Sequence, residues 1–563
     1  MKTASIMKTC GRLPMNTHSC RKLTFEDIKR QLDGVKCIGF DVFDTLLLRP
    51  FMRPTDLFRY IEERELSSGF GAARTEAERR ARREVRNEID LDEIYSILDK
   101  KYLHLKDIEI ETEYDLSIAD ADTKNLYDKA VELGIDIVVI SDMYLSNEYI
   151  SRMLEKNGYS GYRKLYVSNE HDTNKQSGGL YKVVLNDLGI KADEFLFIGD
   201  NPSSDRRVPA GIGIRTVKYV SSKERYAASH KREMGFLRRE GSLAGSVIVA
   251  VDMLGWLGRS SNNGYWNDIG YRFGGPVASF FTHFMISHIS DQVKTIFFIA
   301  RDGWNLQKVY RILCDEPVDD HYVYASRLFT LLFGEDIADS KDMGAALPGP
   351  LSEEVLKKER ARYSEYILGK AKKGDVFVVD VTTMKYSSQK LVQQALGKER
   401  RVIGCYYNLL AHSDLEYLAY ADRCGNLLNW TEVNVPEFFL GSPEGPIIDI
   451  DADGGPIFQK DIHEEELFRM SIYDKVTNGE TDYAKDLKKI FGRGIPNADS
   501  KTIDKWMRVL VRTPSSGEDH ISQIRWAPDT MHAKYRSLVF GPEEVPYMLT
   551  VRLKDLLCRI KRK

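Results

Sequence analysis

The sequence predicts an α/β protein. It reads as a parallel-sheet unit carrying a helical insertion, then a second α/β unit, then a mainly helical C-terminal region. Three observations predict it. Short β-rich apolar segments recur with helix-length amphipathic stretches between them. The recurrence stops over residues 221–242, which are polar and mixed in charge, and then resumes. The interval between the first two apolar segments is also far longer than one crossover helix needs.

Taken in order, residues 1–35 are polar and irregular and read as an N-terminal tail. The first unit, 36–220, has strand candidates at Cys37–Phe40, Ile135–Ile140, Leu165–Val167, Phe195–Ile198 and Ile214–Tyr219. Helix candidates Thr123–Leu133 and Gly179–Leu188 fall between the later ones. The insertion, about 50–122, contains the Arg- and Glu-rich stretch Ala72–Ile89 and the amphipathic Leu91–Leu98. Residues 221–242 read as a linker. The second unit, 243–460, has strand candidates Thr295–Ala300, His321–Ala325, Val376–Val379 and Arg401–Tyr407, with helices at Trp304–Leu313 and Ser388–Leu396. Residues 461–563 read as helical.

Composition bounds the function. A chain of 563 residues exceeds one core at ~150 residues per domain. Lys plus Arg is 81 against 84 for Asp plus Glu, a net charge of −3, which excludes a generally basic nucleic-acid binder and an acidic disordered chain. No stretch approaches the ~20 apolar residues of a membrane span, and no apolar run follows the first basic residues as in a signal peptide. The 7 cysteines are widely spaced with no CxxC, which fits a reducing cytosol.

Four fragments follow the strands of the first unit: GFDVFDTLL (39–47), VVISDMYLS (138–146), SNEHDTNKQSGGLYK (168–182) and FLFIGDNPSSD (195–205). Ligand sites of open parallel sheets lie at the carboxyl ends of the strands, so all four should converge. Asp41 at a buried strand end can be aimed at phosphorus as a nucleophile. Asp200 can share a Mg²⁺ with it, because a hard cation suits carboxylate, carbonyl and water ligands. Ser141 can donate to a phosphoryl oxygen, and Lys175 can neutralise the charge that carboxylates and phosphate bring together. Asp205 is suited either to holding a Mg²⁺ water or to orienting Lys175.

In order and spacing these fragments resemble the haloacid dehalogenase (HAD) superfamily over residues 36–220. The resemblance implies a Rossmann-like core with a helical cap. Asp41 is then the nucleophile, Ser141 and Lys175 bind the phosphoryl group, and Asp41, Asp200 and the backbone carbonyl of Phe43 hold Mg²⁺. HAD phosphatases usually read DxDxT, with the second Asp as general acid and base; here Phe43 occupies that position. General acid catalysis is worth roughly 10²–10⁴-fold. Either Asp44 or a cap residue takes the role, or the domain is slow or degenerate; dehalogenases of the superfamily also lack this Asp.

The second unit carries FFIARDGWNLQKVY (297–310), YVYASRLF (322–329) and VFVVDVTTMKYSSQKL (376–391). The first could place Arg301, Asp302 and the Gly303 backbone at a helix N-terminus suited to anions. The second ends a strand with Ser326 and Arg327. The third is a strand ending in Asp380, a hydroxyl-rich loop including Ser387, and a helix, the logic of a phosphate cradle. FGGP (273–276) and PEFFLGSPEGP (436–446) add close-approach glycines and Glu437. The alternative is an α/β domain whose acids and hydroxyls cap helices and turns.

Over roughly 36–460 the chain is similar to dual-domain ribofuranosyltransferases of bacterial polysaccharide synthesis. That resemblance implies transfer of 5-phosphoribosyl from phosphoribosyl pyrophosphate (PRPP) to a glycan, followed by removal of the 5-phosphate. Asp380 would then act at the oxocarbenium-like centre, with Asp302 or Glu437 as alternatives, and Arg301, Arg327 and Ser387 would bind the donor. The rivals are a sugar-phosphate phosphatase with a non-catalytic recognition domain and a degenerate scaffold in polysaccharide assembly. The C-terminus, 547–563, reads as a basic amphipathic helix, suited to the inner face of an anionic membrane and equally to docking on its own protein.

Overall fold

β1 (Cys37–Asp41) is buried at every position, as a strand covered on both faces must be. It is the middle of a parallel sheet in the computed structural model. The structure describes residues 22–84, 88–259, 263–325, 327–333, 352–425, 430–451, 453–512, 519–522, 524–526 and 536–538. Two compact units divide the chain, residues 1–231 and 232–563.

In the first unit the chain leaves β1 through a two-stranded antiparallel ribbon, β2 (Leu47–Leu48) with β3 (Ile118–Ala119). The insertion lies between these two strands. It contains helices Asp56–Arg64, Phe70–Glu84, Leu91–Ile97 and Leu105–Leu116. Asp90 and Glu93 form a reciprocal capping box that starts the third of these. Arg74 is wholly buried and forks onto Glu109 at 2.8 and 2.7 Å, with the Tyr95 hydroxyl donating to the same carboxylate at 2.8 Å. The arginine-rich stretch thus turns one of its arginines into the interior.

The chain returns to β4 (Asp136–Ser141) and β5 (Lys164–Val167) on one side of β1, and to β6 (Phe195–Gly199) and β7 (Arg215–Lys218) on the other. The order is β5-β4-β1-β6-β7, all parallel. The strand order reverses at β1 and β6, and the crevice at their carboxyl ends is where such sheets bind ligands.

The second unit repeats this logic with β8 (Val293–Ile299), β9 (Asp319–Val323), β10 (Asp375–Thr383), β11 (Val402–Leu409) and β12 (Tyr417–Asp422). The order is β12-β11-β10-β8-β9, again all parallel. A ribbon of β13 (Ile447–Ile450) and β14 (Pro456–Phe458) follows. The edge strand β12 is mostly half-buried and was not among the strand candidates.

The structure differs from the expected segmentation in two places. The 221–242 stretch is not an extended linker. It forms helices Ser222–Ser229 and Lys231–Glu240, and the division between units falls inside it. Its polarity is spent within each unit: Ser222 donates to Asp120 at 2.5 Å and Arg225 to Asp122 at 2.5 Å, while Glu233 pairs with Arg272 at 2.5 Å. The C-terminal region is not separate from the second unit either, because helix Glu464–Phe491 lies against Gly270, where a Cβ would meet the Val476 backbone at 2.8 Å. The basic amphipathic segment 547–563 lies outside the described residues. No helix among the described residues is long and apolar enough to cross a membrane.

Candidate functional site

Asp41 closes β1, level with Ile140 of β4, so Ser141 stands one residue beyond it on the neighbouring strand. Both are buried. Lys175 is buried too, with Nζ 2.5 Å from Asp41 Oδ1 and 2.8 Å from Asp205 Oδ1. Its loop is pinned by the Lys175 N–H, which donates to Asp142 Oδ1 at 2.9 Å. The Asn174 amide and the Ser168 hydroxyl both donate to Glu88, which lies between the second and third helices of the insertion, at 2.7 and 2.9 Å. Asp205 also accepts from the Asn201 N–H at 3.1 Å and the Ser204 hydroxyl at 3.1 Å. It can lie against the end of β6 because residue 199 is glycine; a Cβ there would meet Asp205 Cγ at 2.7 Å and Cβ at 2.8 Å.

Oxygens of Asp41, Asp200 and Asp205 lie within 4.8 Å of one another. Burial, then the charges of Asp205 and Asp200, push Asp41 up to about 8 against the pull of Lys175. Burial, then Asp44 and Asp205, push Asp200 up to about 7. Burial works against the Lys175 ammonium, but Asp41 and Asp205 outweigh it and hold the group well above its ordinary value. Three converging carboxylates answered by one lysine carry an excess of negative charge. A hard dication with oxygen ligands fits that donor set. Asp41 and Asp200 would hold it with the Phe43 carbonyl, while Asp205 is committed to Lys175.

Phe43 lies beneath the Arg49 guanidinium, 4.2 Å from ring centroid to Cζ, and Arg49 is itself held bidentate by Glu113 at 2.8 Å. Asp44 adopts a left-handed backbone, φ 57°, and its Oδ1 lies 2.8 Å from Lys223 Nζ. Lys223, Glu88 and the Arg49–Glu113 pair were not singled out from sequence. Lys223, Glu88 and Glu113 lie distant along the chain from the fragments they touch, and Arg49, though two residues beyond the first fragment, has nothing local to mark it.

In the second unit, burial and then Asp380 and Glu437 push Asp302 well above the ordinary carboxylate range, against Arg301 and Arg469. These residues therefore gather where β8 ends beside β10. Arg301 donates to Glu466 at 3.3 Å. Arg469 donates to Glu466 at 3.0 Å and to the carbonyls of Ser442 and Glu444 at 2.6 and 3.1 Å. Asp380 does not end its strand: β10 runs on to Thr383, paired with Leu409 of β11. Its carboxylate accepts from the Ser388 hydroxyl at 2.6 Å. Ser388 rather than Ser387 thus meets the acid, because the helix Ser387–Leu396 turns its second residue inward. Ser326 and the side chain of Arg327 lie outside the described residues.

No protein-family model and no curated protein matches the chain. Among solved structures it is similar to a haloacid dehalogenase-like family hydrolase from Xanthomonas campestris, at 16% identity and TM-score 0.26 over 34% of this chain and 83% of that one. It is also similar to the L-2-haloacid dehalogenase from Xanthobacter autotrophicus, at 15% identity and TM-score 0.27 over 38% and 86%. A HAD family enzyme from Bacteroides thetaiotaomicron, in complex with magnesium and inorganic phosphate, is similar at 17% identity and TM-score 0.24 over 33% and 95%.

Proposed function

We propose that the first unit is a HAD-type phosphatase acting on a phosphorylated sugar or glycan. The observation that carries the reading is the buried Asp41–Lys175–Asp205 chain at the sheet's switch point, with Asp200 completing a carboxylate set around it. Asp41 attacks phosphorus and the ester oxygen leaves. Lys175 screens Asp41 from the incoming phosphoryl charge, and Asp205 keeps Lys175 in place. Ser141 offers its hydroxyl to a phosphoryl oxygen. Water then releases phosphate and restores Asp41. A bound Mg²⁺ would supply charge stabilisation for the phosphoryl oxygens.

The test is phosphate release from methyl 5-phosphoribofuranoside with Mg²⁺. Wild-type protein is expected to release phosphate, Asp41→Asn to fall to background, and EDTA to abolish release reversibly. Release that survives Asp41→Asn would sink the reading.

The second unit is proposed to transfer 5-phosphoribosyl from PRPP to a glycan acceptor, making the substrate of the first. Support comes from the carboxylates of Asp302, Asp380 and Glu437 set beside Arg301 and Arg469 at a second switch point. Tethering two consecutive activities raises the effective concentration of product for the next site. Asp380→Asn is expected to abolish PRPP-dependent ribosylation and spare phosphate release. Unchanged transfer in that variant would remove Asp380 from the chemistry.

A further inference from the structure

The reading above leaves one step without a residue. The alkoxide that departs from phosphorus needs a proton, and Phe43 stands where the family's acid would be. We propose that Lys223, on the helix Ser222–Ser229, is the proton donor to the leaving oxygen of the first unit's site. The proposal rests on the phosphatase reading.

Four observations carry it. Lys223 Nζ is buried and pairs with Asp44 Oδ1 at 2.8 Å, and since an ammonium carries three donors, that one pairing leaves protons uncommitted. Asp44 is turned by its left-handed backbone, and after burial its charge is the first of those that raise Asp200. The ammonium therefore belongs to the same crevice as the carboxylates. The helix that presents it is clamped on both sides of Lys223, by Ser222 on Asp120 at 2.5 Å and Arg225 on Asp122 at 2.5 Å. Finally, two other polar groups near Phe43, Asp44 and Arg49, are already engaged. Asp44 is engaged by the Lys223 ammonium at 2.8 Å. Arg49 is locked onto Glu113, and a guanidinium does not release its proton in proteins.

The balance is simple. As Asp41 forms its bond to phosphorus, the P–O ester bond breaks and the leaving oxygen takes a proton from Lys223 Nζ. Water then attacks the aspartyl phosphate, and its proton returns to the Lys223 amine. The net reaction is ester plus water to alcohol plus phosphate, with both side chains restored.

The test compares two esters, methyl 5-phosphoribofuranoside and p-nitrophenyl phosphate. The alkoxide needs a proton on departure, whereas p-nitrophenolate does not. Lys223→Gln is expected to lower kcat/KM for the alkyl ester about 10²-fold more than for the aryl ester. The ratio does not depend on how much of the variant folds. Lys223→Arg, which keeps the charge and the pairing to Asp44, is expected to show the same selective loss. Equal losses on both esters, or rescue by arginine, would overturn the proposal and leave Lys223 an electrostatic support. Wild-type protein without Asp41-dependent release from either ester would instead overturn the phosphatase reading, and this proposal with it.

Discussion

At the scale of single residues, the first site is a contest between burial and charge. Asp41, Asp200 and Asp205 would repel one another in a buried crevice, and Lys175 is the cation that reaches two of them. Truncating one partner of such a network leaves the others uncompensated, typically at about 3–5 kcal/mol. A gentler test moves Asp205 without removing it. In Gly199→Ala the new methyl would meet Asp205 Cγ and Cβ inside van der Waals distance, and Asp205 must shift off Lys175. Phosphate release is expected to fall while the fold persists, measured as kcat alongside circular dichroism. A variant with undiminished kcat would show that Asp205 does not orient Lys175. Asp41, Ser141 and Asp200 were legible in sequence because each sits at the end of a short apolar strand, and Lys175 because it lies in the polar segment after another. Lys223 was not, because its partner Asp44 is a contact across the fold.

At the scale of elements, helix Glu464–Phe491 shows what dense packing demands. Glu480 is fully buried on it, with neither carboxylate oxygen hydrogen-bonded among the described residues. A Cβ at Gly274 would meet Glu480 Cγ at 2.8 Å, so glycine there admits the side chain. Burial holds the Glu480 carboxyl well above the usual range, against the opposing charge of Lys308. The folded state then keeps a proton that the unfolded state loses above about pH 4.3. Stability from this group is therefore present below that pH and is lost as pH rises towards the raised folded value. Glu480→Gln cannot ionise, so it is expected to flatten that slope and to be the more stable form at pH 8, read by urea denaturation at pH 5 and 8. A variant with the wild-type slope would place the titration elsewhere. The helix was expected as a separate C-terminal region, since its mixed sequence does not announce that its glycine and aromatic neighbours lie in the second unit.

At the scale of the whole molecule, each of the two units is built on a five-stranded parallel sheet of its own, and where the chain divides decides what each contains. A fragment ending at residue 220 would omit the helix Ser222–Ser229 and leave Asp120 and Asp122 without Ser222 and Arg225. A fragment ending at 231 keeps them. Residues 22–231 are expected to fold alone with Asp41-dependent phosphate release, whereas 22–220 melts lower and loses activity. Equal melting temperatures would show that this helix does not belong to the first unit.

The sequence by itself determined the α/β class, the position of most strands and the residues at their carboxyl ends. Apolar periodicity and strand-end chemistry are local properties, readable within a few residues. Tertiary structure alone decided that Asp205 pairs with Lys175 and that Ser388 rather than Ser387 meets Asp380. It also decided that β10 outruns its acid and that a polar stretch resembling a linker sets Lys223 beside Asp44. Those are contacts between residues far apart in the chain. An ion pair that buries polar residues leaves the same composition as a solvated surface, so only the folded chain distinguishes the two.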